Sequence, residues 1–346
     1  MPVLPKTKVR KESPQAASSS GNGSTKEPTI VFRRVTGQRE GRIADTTFKI
    51  LVFACAISLL TIVVLILLQL IRQSELSLHK FGLRFLFIDA WNPVTGRFGA
   101  LAFIFGTILS SFLGLLIAVP LSLGTALFLT ELCPPFLRRI LGTMVELLAA
   151  IPSVIYGLWG IFVLAPVLRL YVEPWLQNSL GWTGLFSGPP LGVGMLAAGI
   201  ILAIMILPIV ASVTREVILA VPSQQREAVL ALGATRWETL RMGVLRNARV
   251  GIVGAIILGL GRAIGETMAV TMVIGNRPEI SKSLIAPANT LASVVALEFA
   301  EAVDDLHLSS LVELALVLFG ITLIVNAIAR LLVWSVTRGA PARTLA

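Results

Sequence analysis

Arg262 and Glu266 carry the charges that are hardest to explain in this sequence. Both lie in an apolar stretch, residues 250–274, where a continuous helix would place them four residues apart on one face. A charge at the centre of a bilayer costs about 2.5–3.5 kcal/mol on insertion scales. The order of Arg before Glu opposes the helix dipole, so we infer that the pair does more than stabilise its own helix.

The chemistry of this pair suits the passage of an oxyanion. A planar guanidinium binds two oxygens at once, and Glu266 would hold Arg262 in place and accept it back after the anion leaves. Small residues accompany the pair on this face and on the adjacent strip: Ala255, Gly259, Ala269, Gly261 and Gly265. Such a face must meet another helix or a polar path. The alternative is a buried ion pair that orients two subunits.

Ser153 and Tyr156 are further candidates for the wall of a substrate path. They follow Pro152 inside another apolar stretch. Hydroxyl groups in membrane helices also bond to neighbouring backbone carbonyls, so a purely structural role is the alternative for both.

A polar segment, residues 215–249, separates two apolar stretches and has the signals of a short helix. Pro222 and Ser223 mark a helix start, and Gly233 marks an end in the left-handed conformation. A short helix projecting from two membrane spans can dock in a groove of a soluble partner and carry its motion to the membrane. An ordinary amphipathic loop helix is the alternative interpretation.

The elements that position these residues are six apolar stretches. Of the 346 residues, 55% are hydrophobic and 14% are charged, whereas soluble domains carry about 25% charged residues. About 20 apolar residues cross the hydrocarbon core as a helix. The stretches that qualify are residues 50–71, 100–129, 141–168, 191–213, 250–274 and 311–336. We therefore predict an all-α integral membrane protein with six transmembrane helices in one domain, residues 50–338.

The distribution of basic residues predicts the orientation. Residues 1–49 hold 10 of the 29 Lys and Arg residues and have the composition of a disordered tail. With the N-terminus inside, the cytoplasmic segments hold 21 basic residues and the outer loops hold 7. Both termini are therefore expected in the cytoplasm. The formal charge of +10 follows this topology rather than a nucleic-acid groove.

Several kinds of site are missing from the sequence. It has no phosphate-binding loop of the Walker type, no nucleophile–base arrangement and no metal-binding spacing among its histidines and cysteines. We expect His79 and His307 to be isolated in outer loops. We also expect a non-catalytic subunit with no metal or cofactor of its own, so that ATP and Mg are used by a partner chain.

The segment from Glu227 through Gly233 resembles the "EAA" motif of permease subunits of binding-protein-dependent ABC importers. In that family this loop is the coupling helix that docks on the ATPase subunit. The resemblance therefore implies a role in ATPase coupling for Glu227, Ala228 and Gly233. Leu245 also matches the motif. Two positions depart from it, because Gly243 replaces a bulky apolar residue and Arg246 replaces a proline.

Two further segments narrow the resemblance. Residues 149–160 (AAIPSVIYGLWG) and 259–269 (GLGRAIGETMA) resemble the phosphate-specific permeases of the PstC type. The resemblance covers residues 50–338 and implies a type I ABC importer permease fold. It also implies a heterodimer with the sister permease PstA, a dimer of the ATPase PstB and an external phosphate-binding protein, PstS. The alternatives are a permease for another oxyanion, such as molybdate or sulfate, and a membrane sensor or scaffold that transports nothing.

Overall fold

The computed structural model describes residues 38–338, with side-chain surroundings for residues 46–334. Within that part of the chain the regular structure is helical, apart from two isolated β-bridges. The α-helices are α1 (Gln38–Gln73), α2 (Glu75–Phe81), α3 (Leu101–Leu127), α4 (Pro135–Ala149), α5 (Ser153–Trp159), α6 (Ala165–Val167), α7 (Glu173–Leu180), α8 (Met195–Leu219), α9 (Ser223–Ala231), α10 (Arg236–Glu238), α11 (Arg246–Ile264), α12 (Met268–Val273), α13 (Leu291–Glu298) and α14 (Asp305–Arg338).

The chain divides within α1 into two compact units, Met1–Leu60 and Thr61–Ala346. In the first unit the described side chains, residues 46–60, are all exposed and most are apolar. The sequence predicts a disordered tail up to residue 49, whereas the structure begins α1 at Gln38. The rest of the predicted tail, residues 1–37, lies outside the described residues.

Six helices in the described part of the chain are long and apolar enough to cross a membrane. Short π-helical turns join some of the α-helical segments into longer rods. The six are Thr46–Gln73, Leu101–Leu132, Ser153–Thr183, Met195–Leu219, Arg236–Ile264 and Asp305–Trp334. The predicted number of spans is confirmed, and the largest differences in position concern the third and fifth spans.

Helix α8 lies at the centre of the second unit, because 67% of its most apolar window is buried, the largest share among the six. It packs along α3 and α11. Gly114 of α3 allows close approach, since a Cβ there would lie 2.8 Å from the Cβ of Leu202. Small residues at such crossings let helix backbones come together, which replaces the hydrophobic driving force that lipid does not supply.

The predicted third span, residues 141–168, joins two segments that the structure separates. Helix α4 ends at Ala149, and a new helix begins at Ser153 after Pro152. A residue before proline is disfavoured in the helical conformation, which explains the break. The membrane-length helix therefore starts 12 residues later than predicted and extends to Thr183. Helix α4 is a separate element with both apolar and charged side chains exposed.

The predicted fifth span, residues 250–274, is also interrupted. Helix α11 ends at Ile264, Gly265 follows as its C-cap, and α12 begins at Met268. On the other side, a π-helical turn, Thr239–Leu245, extends α11 backwards into the polar segment, residues 215–249. Arg246 therefore lies inside a continuous rod, where the family motif has a proline.

Aromatic residues form a second core between the first and second spans and the start of α14. Trp91 packs edge-on against Phe98 and Phe103, with ring centroids 4.8 and 5.0 Å apart. His307 stacks on Phe98 and lies 2.9 Å from Glu298, whose carboxylate also accepts a hydrogen bond from the Trp91 indole. The expectation that His307 is isolated is therefore wrong.

Candidate substrate path and coupling region

Arg262 and Glu266 lie on the two sides of the break between α11 and α12. Arg262 is in the last turn of α11, and Glu266 lies beyond the C-cap of that helix. Their closest atoms, Nη2 and Oε2, are 4.0 Å apart, which is longer than a hydrogen bond. The Arg262 side chain is 43% exposed and that of Glu266 is 8% exposed. The guanidinium is therefore only loosely held by the carboxylate and reaches open space.

Glu266 has a second, closer partner at the start of the next helix. Its Oε1 accepts a hydrogen bond of 3.3 Å from the backbone N–H of Ala269. A carboxylate at a helix start and a guanidinium at a helix end are both favourable in the field of the helix dipoles. The prediction that the pair shares one helical face against the dipole is wrong, because the helix breaks between the two residues.

Tyr156 lies near this break, while Ser153 begins the neighbouring helix α5. Helix α5 packs on α12, where a Cβ on Gly157 would lie 3.1 Å from the Cα of Ala269. Arg262 is within electrostatic range of the Tyr156 phenol. That hydroxyl donates a 2.8 Å hydrogen bond to the Leu148 carbonyl and so bridges the first helix break. Two interrupted helices thus meet beside Arg262.

The small residues of α11 divide between two sides of the helix. Gly259 faces α8, where a Cβ would lie 2.7 Å from Ile206 and from Val210. In contrast, a Cβ on Gly254 or Gly261 would meet no atom within 4 Å. The predicted small face therefore packs against a helix on one side only, and its other side is open.

A cavity of about 810 Å³ occupies that open side, between α8, α11 and α14. Its polar side chains are Arg262 from α11 and Asn326 and Arg330 from α14, and the rest of its wall is glycine or apolar. Asn326 donates a 2.9 Å hydrogen bond to the Thr322 carbonyl of its own helix. The cavity wall contains no carboxylate among the described residues.

The coupling segment forms the predicted short helix, α9, with Pro222 as its N-cap. Gly233 follows the helix with a φ of +83°, a conformation that glycine adopts without strain. Glu227, Ala228 and Gly233 are exposed, as is Leu232 beside them. These residues form a solvent-exposed surface at the tip of the segment. The predicted start and end of the short helix are confirmed.

Arg226 attaches α9 to the ends of two membrane helices. Its Nη1 is 2.8 Å from Oε1 of Glu131, in the π-helical turn that ends the second span. Its Nη2 donates a 3.2 Å hydrogen bond to the Ile218 carbonyl near the end of α8. On the inner side of α9, Gly243 is buried, and a Cβ there would lie 3.4 Å from the Gln225 carbonyl oxygen. A Cβ at this position would make an ordinary van der Waals contact with the backbone of α9.

The model of the family described as "binding-protein-dependent transport system inner membrane component" matches residues 118–338, which contain both regions described above. The chain belongs to this family. It is therefore a subunit of a transporter complex and a multi-pass protein of the inner membrane.

Curated relatives of the chain are named phosphate transport system permease protein PstC. The protein from Mesorhizobium japonicum is 49% identical over 88% of this chain and 94% of its own length. The proteins from Xylella fastidiosa and Pasteurella multocida are 46% and 44% identical, over 85% and 88% of this chain and 92% and 96% of their own lengths. A solved structure of the MetNI methionine ABC transporter is 18% identical, with a TM-score of 0.47, over 69% of this chain and 94% of that one.

Sequence reasoning alone misses the roles of two residues, Arg226 and Arg330. Arg226 directly precedes the motif residue Glu227, but its partner Glu131 is distant in sequence. Arg330 was counted only as a basic residue of the C-terminal segment. Among the described residues, no group of three His, Cys, Asp or Glu side chains is arranged to hold a metal ion.

Proposed function

We propose that this chain forms half of the translocation pathway for inorganic phosphate in an ATP-driven importer. The observation that carries the proposal is the half-exposed Arg262 guanidinium at a helix end on the wall of the 810 Å³ cavity. The names of the PstC relatives support phosphate as the oxyanion. Phosphate oxygens accept paired hydrogen bonds from a guanidinium, so the chemistry of the cavity wall agrees with that substrate.

Glu266 has a positioning role in this proposal. The Glu266 carboxylate attracts Arg262 across 4.0 Å, from Oε2 to Nη2, without a direct hydrogen bond. An arriving anion can therefore bind the guanidinium without breaking a hydrogen-bonded ion pair. The carboxylate also repels an anion, which keeps binding weak and allows release. Ser153 and Tyr156 do not line the 810 Å³ cavity. In this proposal Ser153 supplies a further polar group to the path outside that cavity, whereas the Tyr156 hydroxyl is structural because it donates to the Leu148 carbonyl.

The chain hydrolyses no ATP itself in this proposal. A sister permease of the PstA type would complete the pathway, and an external binding protein of the PstS type would deliver the substrate. A PstB-type ATPase dimer would use ATP and Mg and would dock on the surface formed by Glu227, Ala228 and Gly233. The docking surface must face the cytoplasm, so both termini would lie on the cytoplasmic side.

The test is ATP-dependent uptake of labelled phosphate into proteoliposomes that contain the full complex, with molybdate and sulfate as competitors. We expect uptake that arsenate inhibits and the other two anions do not. Arg262→Gln should lower uptake by at least about tenfold, the effect of one lost charge-assisted contact, while the complex still assembles. Arg139→Gln, an exposed charge on α4, is the matched control.

Each outcome of this assay bears on a different part of the proposal. Uptake of molybdate or sulfate instead of phosphate would keep the transport function and change the substrate. Normal phosphate uptake in Arg262→Gln would exclude the assigned pathway. Absence of any anion transport by a well-assembled complex would contradict the proposed function and favour a sensor.

A further inference from the structure

Arg330 is a second cation on the cavity that Arg262 lines. It lies in α14, within the last membrane-length helix, and its residue is exposed. Among the described residues, no carboxylate forms a salt bridge with it. A cation inside a membrane span is expensive and is generally found where it faces a polar path or reaches the interface. The positive-inside distribution of basic residues therefore does not by itself explain why Arg330 lies on this cavity.

The position of Arg330 along the cavity follows from helix geometry. The lining residues of α11 run from Gly254 to Arg262, and those of α14 run from Asn326 to Trp334. Each of these stretches is about 12 Å long at 1.5 Å per residue. With successive spans antiparallel, Arg262 lies opposite Asn326, and Arg330 lies one helical turn further towards the cytoplasm.

The charged side chains of the cavity wall are positive, which favours an anionic ligand. Two guanidinium groups and one amide lie on a wall that is otherwise glycine and apolar, and no carboxylate of the described part of the chain lines it. Glu266, which weakens anion binding at Arg262, is absent from this wall. The open faces of Gly254 and Gly261 leave room for a ligand, because a Cβ at either position would contact nothing within 4 Å.

We propose that Arg330 and Asn326 form a second oxyanion subsite, which receives the anion from Arg262 and passes it to the cytoplasm. This inference rests on the proposed function and on the orientation proposed with it. Two sites of moderate strength, one turn apart, allow an anion to move in short steps without being trapped at either. The ligand chemistry is a phosphate group, which free phosphate and a lipid headgroup share, and the tests below separate the two.

The first experiment measures the charge of the cavity and does not depend on transport. Val333→Cys, on the cavity wall, is placed in a Cys55→Ser, Cys133→Ser background of the full complex. The rates of its modification by an anionic and a cationic thiol reagent are compared with and without Arg330→Gln. We expect the anionic-to-cationic rate ratio to fall by about three- to tenfold when the charge is removed.

Phosphate protection then identifies the ligand. Free phosphate should slow modification of Val333→Cys in the parent protein and should lose this effect in Arg330→Gln. The result should be the same in vesicles of phosphatidylcholine alone and in vesicles that also contain phosphatidylglycerol. Protection that depends on phosphatidylglycerol and not on free phosphate would assign Arg330 to a lipid headgroup and overturn the subsite.

Uptake provides the functional readout. Arg330→Gln should reduce the maximal rate of phosphate uptake by about tenfold, and Arg330→Lys should restore part of it because a point charge remains. Arg139→Gln is again the control for loss of a cytoplasmic charge. Normal uptake in Arg330→Gln, together with loss of uptake in Arg262→Gln, would overturn the second subsite and leave the proposed function intact.

Failure of the proposed function itself gives a different pattern. In that case the parent complex would move no phosphate, whereas the thiol-reagent ratio and the phosphate protection would still report on Arg330. A rate ratio unchanged by Arg330→Gln would overturn the inference in either case.

Discussion

Arg262 lies in the last turn of one helix, α11, and Glu266 lies just before the start of the next, α12. Arg262 complements the carboxyl end of α11, and Glu266 accepts from a backbone N–H at the start of α12. Each charge is therefore stabilised by its own helix, and neither depends on the other for its place. This independence leaves the guanidinium available to an anion.

Substitutions of Glu266 should separate its two roles. Glu266→Gln keeps an oxygen that can accept from the Ala269 N–H but removes the charge near Arg262. We expect the melting temperature of the complex to stay close to that of the parent protein, with a lower KM for phosphate. Glu266→Ala loses the acceptor as well and should lower stability by about 1 kcal/mol.

Thermal unfolding of the purified complex and the KM of uptake check this prediction. Equal destabilisation by both substitutions would show that the charge, not the hydrogen bond, holds the helix start. An unchanged KM in Glu266→Gln would contradict the role of Glu266 in weakening the bound anion.

Tyr156→Phe tests whether the phenol hydroxyl is structural. The substitution removes the hydrogen bond to the Leu148 carbonyl and should cost roughly 0.5–1.5 kcal/mol. Since the hydroxyl is directed at the backbone, we expect uptake per assembled complex to stay within about twofold of the parent protein, by the same energy scale. A tenfold loss of uptake with unchanged stability would instead place this hydroxyl in contact with the anion.

At the scale of elements, α9 can transmit force only if it is attached to the membrane helices. Arg226 provides that attachment through Glu131 and the Ile218 carbonyl. Its side chain and that of Glu131 are each 26% exposed, so the pair is partly shielded from solvent. Motion of α9 would therefore reach the ends of the second and fourth spans together.

The ion pair predicts a specific defect in coupling. Arg226→Glu or Glu131→Arg alone should lower the number of phosphate ions moved per ATP hydrolysed, and the double exchange should restore it in part. The pairing itself is expected to contribute about 0.5–1 kcal/mol to stability, so both single variants should fold. Parallel measurement of uptake and ATP hydrolysis in proteoliposomes gives the ratio.

Arg236→Gln is the control for this pair, because Arg236 lies on the same segment and lines the same 580 Å³ cavity as Arg226 and Glu131. Among the described residues it forms no salt bridge. A similar loss of coupling in Arg236→Gln would show that coupling depends on the total charge of the segment rather than on this pair. If the double exchange did not raise the number of phosphate ions moved per ATP, the proposed role of the ion pair would be wrong.

Hydropathy predicted how many membrane helices the chain has but not where two of them break. A window of apolar residues is the same whether the backbone is continuous or interrupted, so residues 141–168 and 250–274 were each predicted as one span. Pro152 carried a local signal for its break. The break after Ile264 has weaker local signals, because only Gly265 and Thr267 mark the interval between the two helices. Packing of α12 against α5 supports this break.

Local signals in the coupling segment are sufficient to predict where α9 begins and ends, because a helix cap depends on residues that are adjacent in sequence. Pro222, Ser223 and Gly233 therefore gave the bounds of α9. Contacts between distant segments had no such signal. The Arg226–Glu131 pair and the placement of Arg262 and Arg330 on one cavity wall depend on how helices pack, which one sequence does not reveal.

At the scale of the whole molecule, the large exposed apolar surface requires a membrane. The described side chains of Thr46–Gln73 are almost entirely exposed, with none of the most apolar window buried. Exposed apolar area of this extent is not stable in water. Lipid covers such surfaces without cost, whereas the exposed polar residues of α9 and of the loop that follows Trp91 need water or protein.

The proposed orientation places the tip of α9 and the loop that follows Trp91 on opposite sides of the membrane. Val94, beside the Trp91 cluster, is 96% exposed, and Leu232, at the tip of α9, is 88% exposed. A single cysteine at either position would be equally open to a water-soluble reagent. Because the exposures match, any difference in labelling reports on the side of the membrane rather than on local burial.

We expect a membrane-impermeant maleimide to label Val94→Cys in cells with an intact inner membrane. Leu232→Cys should react only after that membrane is permeabilised. The background carries Cys55→Ser and Cys133→Ser, so each variant has one thiol. The reverse pattern would put α9 outside, where no ATP-driven partner can reach it, and would contradict both the coupling role and the direction of transport. Labelling of both positions from one side would require an even number of crossings between them, instead of the three that α3, the helix from Ser153 and α8 provide.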